Sequence, residues 1–214
     1  MWQELISVFL QSRCPLCDRP TDKTICTYCQ NKLKSYQLKQ SDRWWRGNLP
    51  VFAWGKYDGQ LKQAIAKLKY DQKPQIGKML GRWLGRAWLD SAVAKLPKMT
   101  VISIPLHREK LHTRGFNQAE IIAQGFCQET GYTLQANGLI RQRNTKAMYE
   151  LTPEARQKNL QNAFAVGKTT PSSPVLLLDD IYTAGTTVKE AAKVLRQHQI
   201  QVYGAIVTAK ASLN

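Results

Sequence analysis

The sequence predicts an α/β protein, with a parallel sheet flanked by helices and a small cysteine-rich module ahead of it. Three features of the 214-residue chain carry that expectation. From about residue 99, short apolar runs alternate with amphipathic stretches, the pattern of strand–helix–strand units and hence of a parallel sheet. Four of the five cysteines crowd together near the N-terminus. Hydrophobic residues make up 43% of the chain against 13 Gly and 9 Pro, a composition that can bury a core and excludes a disordered tail. No apolar run approaches the roughly 18 to 20 residues of a bilayer span, which excludes an integral membrane protein. The 31 Lys and Arg against 15 Asp and Glu leave a formal charge of +16, which points to anionic partners.

Taken in order, Trp2, Leu5, Ile6 and Phe9 stand at helical spacing. Glu4 interrupts them, no Lys or Arg precedes them, and no small-residue cleavage pattern follows before Arg13. An amphipathic helix of a cytoplasmic protein is expected rather than a signal peptide. Cys14, Cys17, Cys26 and Cys29 form two C-x2-C pairs eight residues apart. Two such turns facing one another make a tetrahedral thiolate site suited to zinc at about 2.3 Å. Four thiolates leave no open position, so the zinc of this ribbon is expected to be structural. A pair of redox motifs would want a βαβ context that is missing here. Cys127 stands apart and is read as a packing residue. Residues 42–50 form a linker in which Trp44 and Trp45, flanked by Arg43 and Arg46, admit two readings. They seal the junction between module and main domain, or they stack on single-stranded nucleic acid. Residues 1–49 (helix, zinc ribbon and linker) and 50–214 (the α/β domain) are the expected domains.

Leu61, Ile65 and Leu68 share a helical face, with Lys62 and Lys69 read as a solvated basic face. Ile76, Met79, Leu80, Trp83, Leu84, Ala87 and Trp88 mark the next helix. Gly77, Gly81 and Gly85 give it a small-residue stripe for close packing, and Lys78, Arg82 and Arg86 exclude a membrane helix. Residues 100–104 read as a buried strand, and Asn117 with Glu120 as the cap of a helix running to about Glu129. Residues 175–178 are a strand, Val188, Ala191, Ala192 and Leu195 mark a helix, and residues 201–208 are the last strand. Residues 141–159 are polar, basic and weakly patterned, as functional loops often are.

The chemistry concentrates in residues 175–187, where a buried strand leads through Asp179 and Asp180 into Thr183, Ala184, Gly185, Thr186 and Thr187 ahead of a helix. Backbone N–H groups of small residues at a helix N-terminus favour a phosphate. Two adjacent carboxylates would repel it, and each other, unless they serve another group. Accepting hydrogen bonds from the vicinal hydroxyls of a ribose, with Mg2+ nearby, resolves the conflict. A capping device and a receiver-type Mg2+ site are the alternatives. No G-x-x-x-x-G-K occurs, which excludes a P-loop triphosphatase. His107 and His112 are read as ordinary loop residues.

This stretch resembles the fingerprint of the type I phosphoribosyltransferases: a strand, two acids and a T-x-G-x-T loop. Ile104-Pro-Leu-His-Arg108 followed by Arg114-Gly-Phe-Asn-Gln118 resembles the competence protein F (ComF) family. So do Arg141, Arg143 and Thr145, then Arg156, Asn159 and Ala163-Phe164, and the cysteine module ahead of them. Met148 and Ala184 stand where that family commonly has Gln and Thr. The resemblance spans nearly the whole chain. It implies a type I phosphoribosyltransferase-like fold, phosphoribosyl pyrophosphate (PRPP) with Mg2+ as ligand, and a setting in DNA uptake and natural transformation. Asp179 and Asp180 would hold the ribose hydroxyls, and residues 183–187 the 5'-phosphate. Arg108, Lys110 and Arg114 would face the pyrophosphate unless they are merely solvated charges. Residues 141–159 would act as a lid, with Arg141 and Arg143 joining Asp179, Asp180, Arg108 and Arg114 in the catalytic set. Three classes of function remain open: a pentosyl-transferring enzyme, a competence factor binding single-stranded DNA and DNA-uptake proteins, and a ligand-sensing scaffold. An acceptor pocket is expected near residues 51–95.

Overall fold

A computed structural model describes residues 12–144, 160–169, 171 and 174–212. The expected N-terminal helix and residues 145–159 of the expected lid lie outside the described residues. In the cysteine module, an Arg13↔Pro20 antiparallel bridge closes the turn that carries Cys14 and Cys17. Cys26 then caps helix α1 (Thr27–Lys34), with Cys29 facing inward beside Leu33. Backbone bonds from Leu38 N–H to the Trp54 carbonyl (2.9 Å) and from Lys56 N–H to the Tyr36 carbonyl (2.9 Å) tie the module to the first strand of the sheet. Ile25, Cys29 and Leu33 belong to the same buried cluster as Phe52, Trp54 and Leu61, so the apolar interior is continuous from module to sheet.

Strand β1 (Val51–Lys56) is followed by α2 (Gly59–Tyr70) and α3 (Pro74–Leu89), then by β2 (Thr100–Ser103), α4 (Arg108–Arg114), α5 (Gln118–Thr130) and β3 (Thr133–Leu134). A two-stranded antiparallel ribbon of β4 (Leu139–Arg141) and β5 (Phe164–Val166) precedes β6 (Val175–Tyr182), α6 (Thr186–Gln197) and β7 (Val202–Lys210). The sheet has the order β1-β7-β6-β2-β3 and every neighbouring pair in it is parallel. This is the expected class, and the four-cysteine module fits a zinc ribbon. Strand β1 has no clear sequence signature, because Val51-Phe-Ala-Trp is a short run buried on both faces, with no alternation to read.

Central strand β6 explains the layering. Leu176 and Leu178 pack into the cluster under α3 and α5, whereas Val175 and Leu177 pack into the one under α6. Helices α3 and α5 touch backbone to backbone: a Cβ on Gly81 would fall on the Ile122 carbonyl, and one on Gly125 on the Lys78 carbonyl. The glycine stripe is thus a packing surface. Arg82 donates to Gln128 Oε1 (3.0 Å) and Arg86 to Glu129 Oε1 (2.9 Å) across the same helix pair. Among the described residues, no helix is long and apolar enough to cross a membrane.

Candidate functional site

In an open parallel sheet, ligands gather where neighbouring strands send their connections in opposite directions. That point here lies between β2 and β6. From β2 the chain runs through α4 and α5 to β3 on one side, and from β6 it runs through α6 to β7 on the other. The loops diverge at the strands' C-terminal ends and open a cleft of about 340 Å³. Its lining includes Ile104, Pro105 and Leu106 after β2, and Asp179, Asp180, Thr183 and Thr187 at the end of β6 and beyond.

Strand β6 extends further than expected, to Tyr182, and carries both acids within its ladder: Asp179 pairs with Val207 and Ile181 with Ala209 of β7. Both aspartates are buried. Asp179 Oδ1 accepts the Asp180 N–H at 2.8 Å. Asp180 Oδ1 accepts from Gln118 Nε2 at 3.4 Å, and Oδ2 forms an ion pair with Lys69 from the last turn of α2. The two carboxylates differ in consequence. Burial, then the charge of Asp180, push Asp179 well above the usual carboxylate range. Burial acts on Asp180 in the same sense, but the Lys69 ammonium outweighs it and holds Asp180 below that range. Burial would likewise lower Lys69, yet Asp180 outweighs it and raises the ammonium. Arg141 also lines the cleft; burial lowers its pKa against the opposing charge of Asp179.

Beyond β6, Gly185 adopts φ +74° and opens α6 without a side-chain cap. No acidic residue stands in the first turn, so the N–H groups that open the helix have nothing negative among them. Thr183 and Thr187 line the cleft, with Ala184, Gly185 and Thr186 in the same turn. Lys110 and Arg114 also line it, and Arg114 donates to Gln118 Oε1. Arg108 is exposed and outside the lining, and Arg143 donates instead to the Gln161 carbonyl at 2.8 Å. His107 is buried as the cap of α4, its Nδ1 accepting the Glu109 N–H at 3.4 Å.

Sequence reasoning misses Lys69, Gln118, Tyr57 and Tyr70, which line the same cleft. Lys69 is not on a solvated face. It follows Ile65 by one helical turn, as Ile65 follows Leu61, and that spacing already puts it on the buried side. Gln118 enters the sequence reading only as the last residue of the Arg114–Gln118 run and after the Asn117 cap, with no role of its own.

The four cysteine sulfurs all lie within 4.8 Å of one another. Sulfurs bound at about 2.3 Å to one tetrahedral ion stand roughly 3.8 Å apart, so the set could hold a zinc ion. Burial works against the Cys14 thiolate, but backbone N–H donors outweigh it and bring the thiol down to about 7, while burial pushes the Cys29 thiol up. Trp45 packs edge-on against Trp88 with centroids 5.3 Å apart, which supports the junction reading; Trp44 lies under the Lys210 ammonium, 4.6 Å from its ring centroid. Cys127 is half-buried, and burial pushes its thiol up to about 12.

Fold and site define an open parallel α/β protein with a crevice at its switch point, a buried acidic pair set among basic side chains, and a four-cysteine module ahead of it. The chain is related to curated competence and DNA utilization proteins. It is 29% identical to competence protein F of Haemophilus influenzae over 194 residues, 84% of this chain and 82% of that protein. It is 28% identical to the DNA utilization protein YhgH of Escherichia coli K12 over 192 residues, 85% and 83% of the two chains. Competence protein ComFC of Streptococcus pneumoniae matches at 26% over 187 residues, 87% of this chain and 76% of that one. The resemblance to competence protein F read from the sequence is borne out by these relatives. No protein-family model matches. Among solved structures, an adenine phosphoribosyltransferase from Leishmania donovani aligns over 86% of this chain and 79% of that one at 11% identity and a TM-score of 0.40. A glutamine PRPP amidotransferase from B. subtilis aligns over 61% and 25% at 20% identity and a TM-score of 0.39. Those two likenesses are too distant to argue from.

Proposed function

We propose that the crevice binds PRPP with Mg2+ and that the chain serves in DNA uptake or utilization, as its relatives' names suggest. One observation carries the ligand reading: a buried acidic strand end runs directly into a helix N-terminus with no cap and no acid in its first turn. Such an arrangement suits a molecule with vicinal hydroxyls at one end of a sugar and a phosphate at the other. Asp179 and Asp180 accept the hydroxyl hydrogens, and the N–H groups of residues 183–187 take the 5'-phosphate. Lys110 and Arg114 stand where a diphosphate would extend, and Mg2+ would neutralise part of its charge, held largely by the phosphate oxygens. Arg141 borders the same space at the head of the expected lid. Loss of diphosphate leaves an oxocarbenium-like carbon, so a cleft that reacts must also exclude water. Titration calorimetry with PRPP in the presence and absence of Mg2+ tests binding, and pyrophosphate release over candidate acceptors tests turnover. No Mg2+-dependent heat from the folded protein would end this reading.

A second reading, contact with single-stranded DNA, is favoured by a different feature. An open cleft between residues 46–49 and α6 is lined by Arg46, Lys189, Lys193 and Arg196, with no carboxylate among its described lining residues. Phosphates fit such a surface better than bases fit Trp45, which is committed to Trp88. Replacing Lys189 and Lys193 together by Ala should lower the salt dependence of DNA binding by about two phosphate contacts. An unchanged slope would remove this cleft from consideration.

A further inference from the structure

Asp180 is engaged on both oxygens within the protein itself. Gln118 donates to Oδ1 at 3.4 Å, and the Lys69 ammonium forms an ion pair with Oδ2. The two charged side chains are only 18% and 6% exposed, so the pair is held in the cleft floor rather than on its rim. The contact spans the molecule's layers, since Lys69 ends α2 and Asp180 lies near the end of the central strand. Among the described residues, Asp179, Arg141 on the ribbon strand β4 and Tyr57 after β1 face it too, and Tyr70, Lys110 and Arg114 stand elsewhere in the cleft lining.

A hard divalent cation seeks carboxylate oxygens, and two adjacent buried carboxylates without a cation of their own would invite one. Lys69 brings a compact, flexible positive charge to one of those same oxygens. We propose that Lys69 is the resident counter-ion of the acidic pair: it fixes Asp180 in place and withholds the pair from free divalent metal, so that metal enters the cleft only on a phosphorylated ligand. The part about the ligand rests on the PRPP reading above. The part about withheld metal stands on the ion pair alone. A salt bridge serving stability only would, when removed, weaken the fold and leave metal affinity unchanged.

The test uses the full zinc-loaded chain and free Mn2+, with no phosphoribosyl compound present, and follows unbound Mn2+ by electron paramagnetic resonance. Wild type and Lys69→Arg should bind Mn2+ weakly. Lys69→Met should gain one site at least about tenfold tighter, lost again when Asp179→Asn is added. Circular dichroism and thermal melting establish that each variant is folded, and Lys69→Gln, which keeps a hydrogen-bond donor for Asp180, supplies a second neutral variant. Wild type binding Mn2+ as tightly as the neutral variants would overturn the inference, as would folded neutral variants that gain no site. Failure of both to fold would also overturn it, because the ion pair would then be required for the fold itself. Calorimetry with PRPP can fail while this result stands, so the two readings are separable.

Discussion

Two aspartates that adjoin in sequence should respond oppositely to the same substitution. Asp180→Asn leaves the Lys69 ammonium buried without its partner and should destabilise the chain by about 3 kcal/mol. Asp179→Asn removes a carboxylate that burial and Asp180 disfavour, keeps an oxygen for the Asp180 N–H, and should stabilise by about 1 kcal/mol. The sign with pH follows from the raised pKa. Below the ordinary carboxylate range Asp179 is neutral in both folded and unfolded chains, and the variant should match wild type. As pH rises, ionisation of the unfolded chain draws wild type toward unfolding, and the variant's advantage should grow until the folded Asp179 also ionises. Lys69, Asp180 and Arg141 are the charges that face it. Denaturant melts across pH read both effects; equal responses of the two variants would contradict the assignment. The acids themselves are legible because both stand beside a small-residue turn. Their unequal environments are not, since the deciding cation lies on a helix more than a hundred residues earlier.

At the scale of elements, legibility follows periodicity. The glycine stripe of α3 implies close packing, and α5 supplies the matching Gly125. Gly81→Ala should therefore cost about 1–3 kcal/mol by forcing the two backbones apart, even though Ala is the better helix former. Chemical denaturation of that variant is the check, and a neutral or stabilising outcome would refute the contact. Strands β1 and β3 are hidden for opposite reasons: the first is buried throughout, and the second is only Thr133–Leu134. Strand β6 reads too short in the sequence because paired acids look like the end of a strand, whereas the ladder to β7 continues past them to Tyr182↔Lys210.

Across the whole molecule, the cysteine module and the sheet share one apolar interior. Spacing alone suggests a ribbon that unfolds by itself on chelation. The shared interior implies instead that the rest of the chain is affected as well. Zinc contributes on the order of 10 kcal/mol to the folding of such modules. Its removal, or Cys26→Ser, should strip Phe52 and Trp54 of packing worth on the order of 2 kcal/mol and lower the main melting transition by about 4–8 °C. Native mass spectrometry should find one zinc per chain before chelation. An unchanged melting transition afterward would mean that the module is energetically separate.

The order of strands in the sheet also bears on how the chain is made. Strand β1 is the first of the sheet to be synthesised, yet its partner there is β7, about 150 residues later. Until that partner emerges, β1 offers an unpaired edge and its apolar side chains lack their neighbours on β7, the condition in which nascent chains aggregate or recruit chaperones. Termination before Val202 would leave both β1 and β6 with an open edge at the centre of the sheet. Interruptions of translation between the codons of β6 and those of β7 would therefore yield insoluble product rather than a trimmed, working protein.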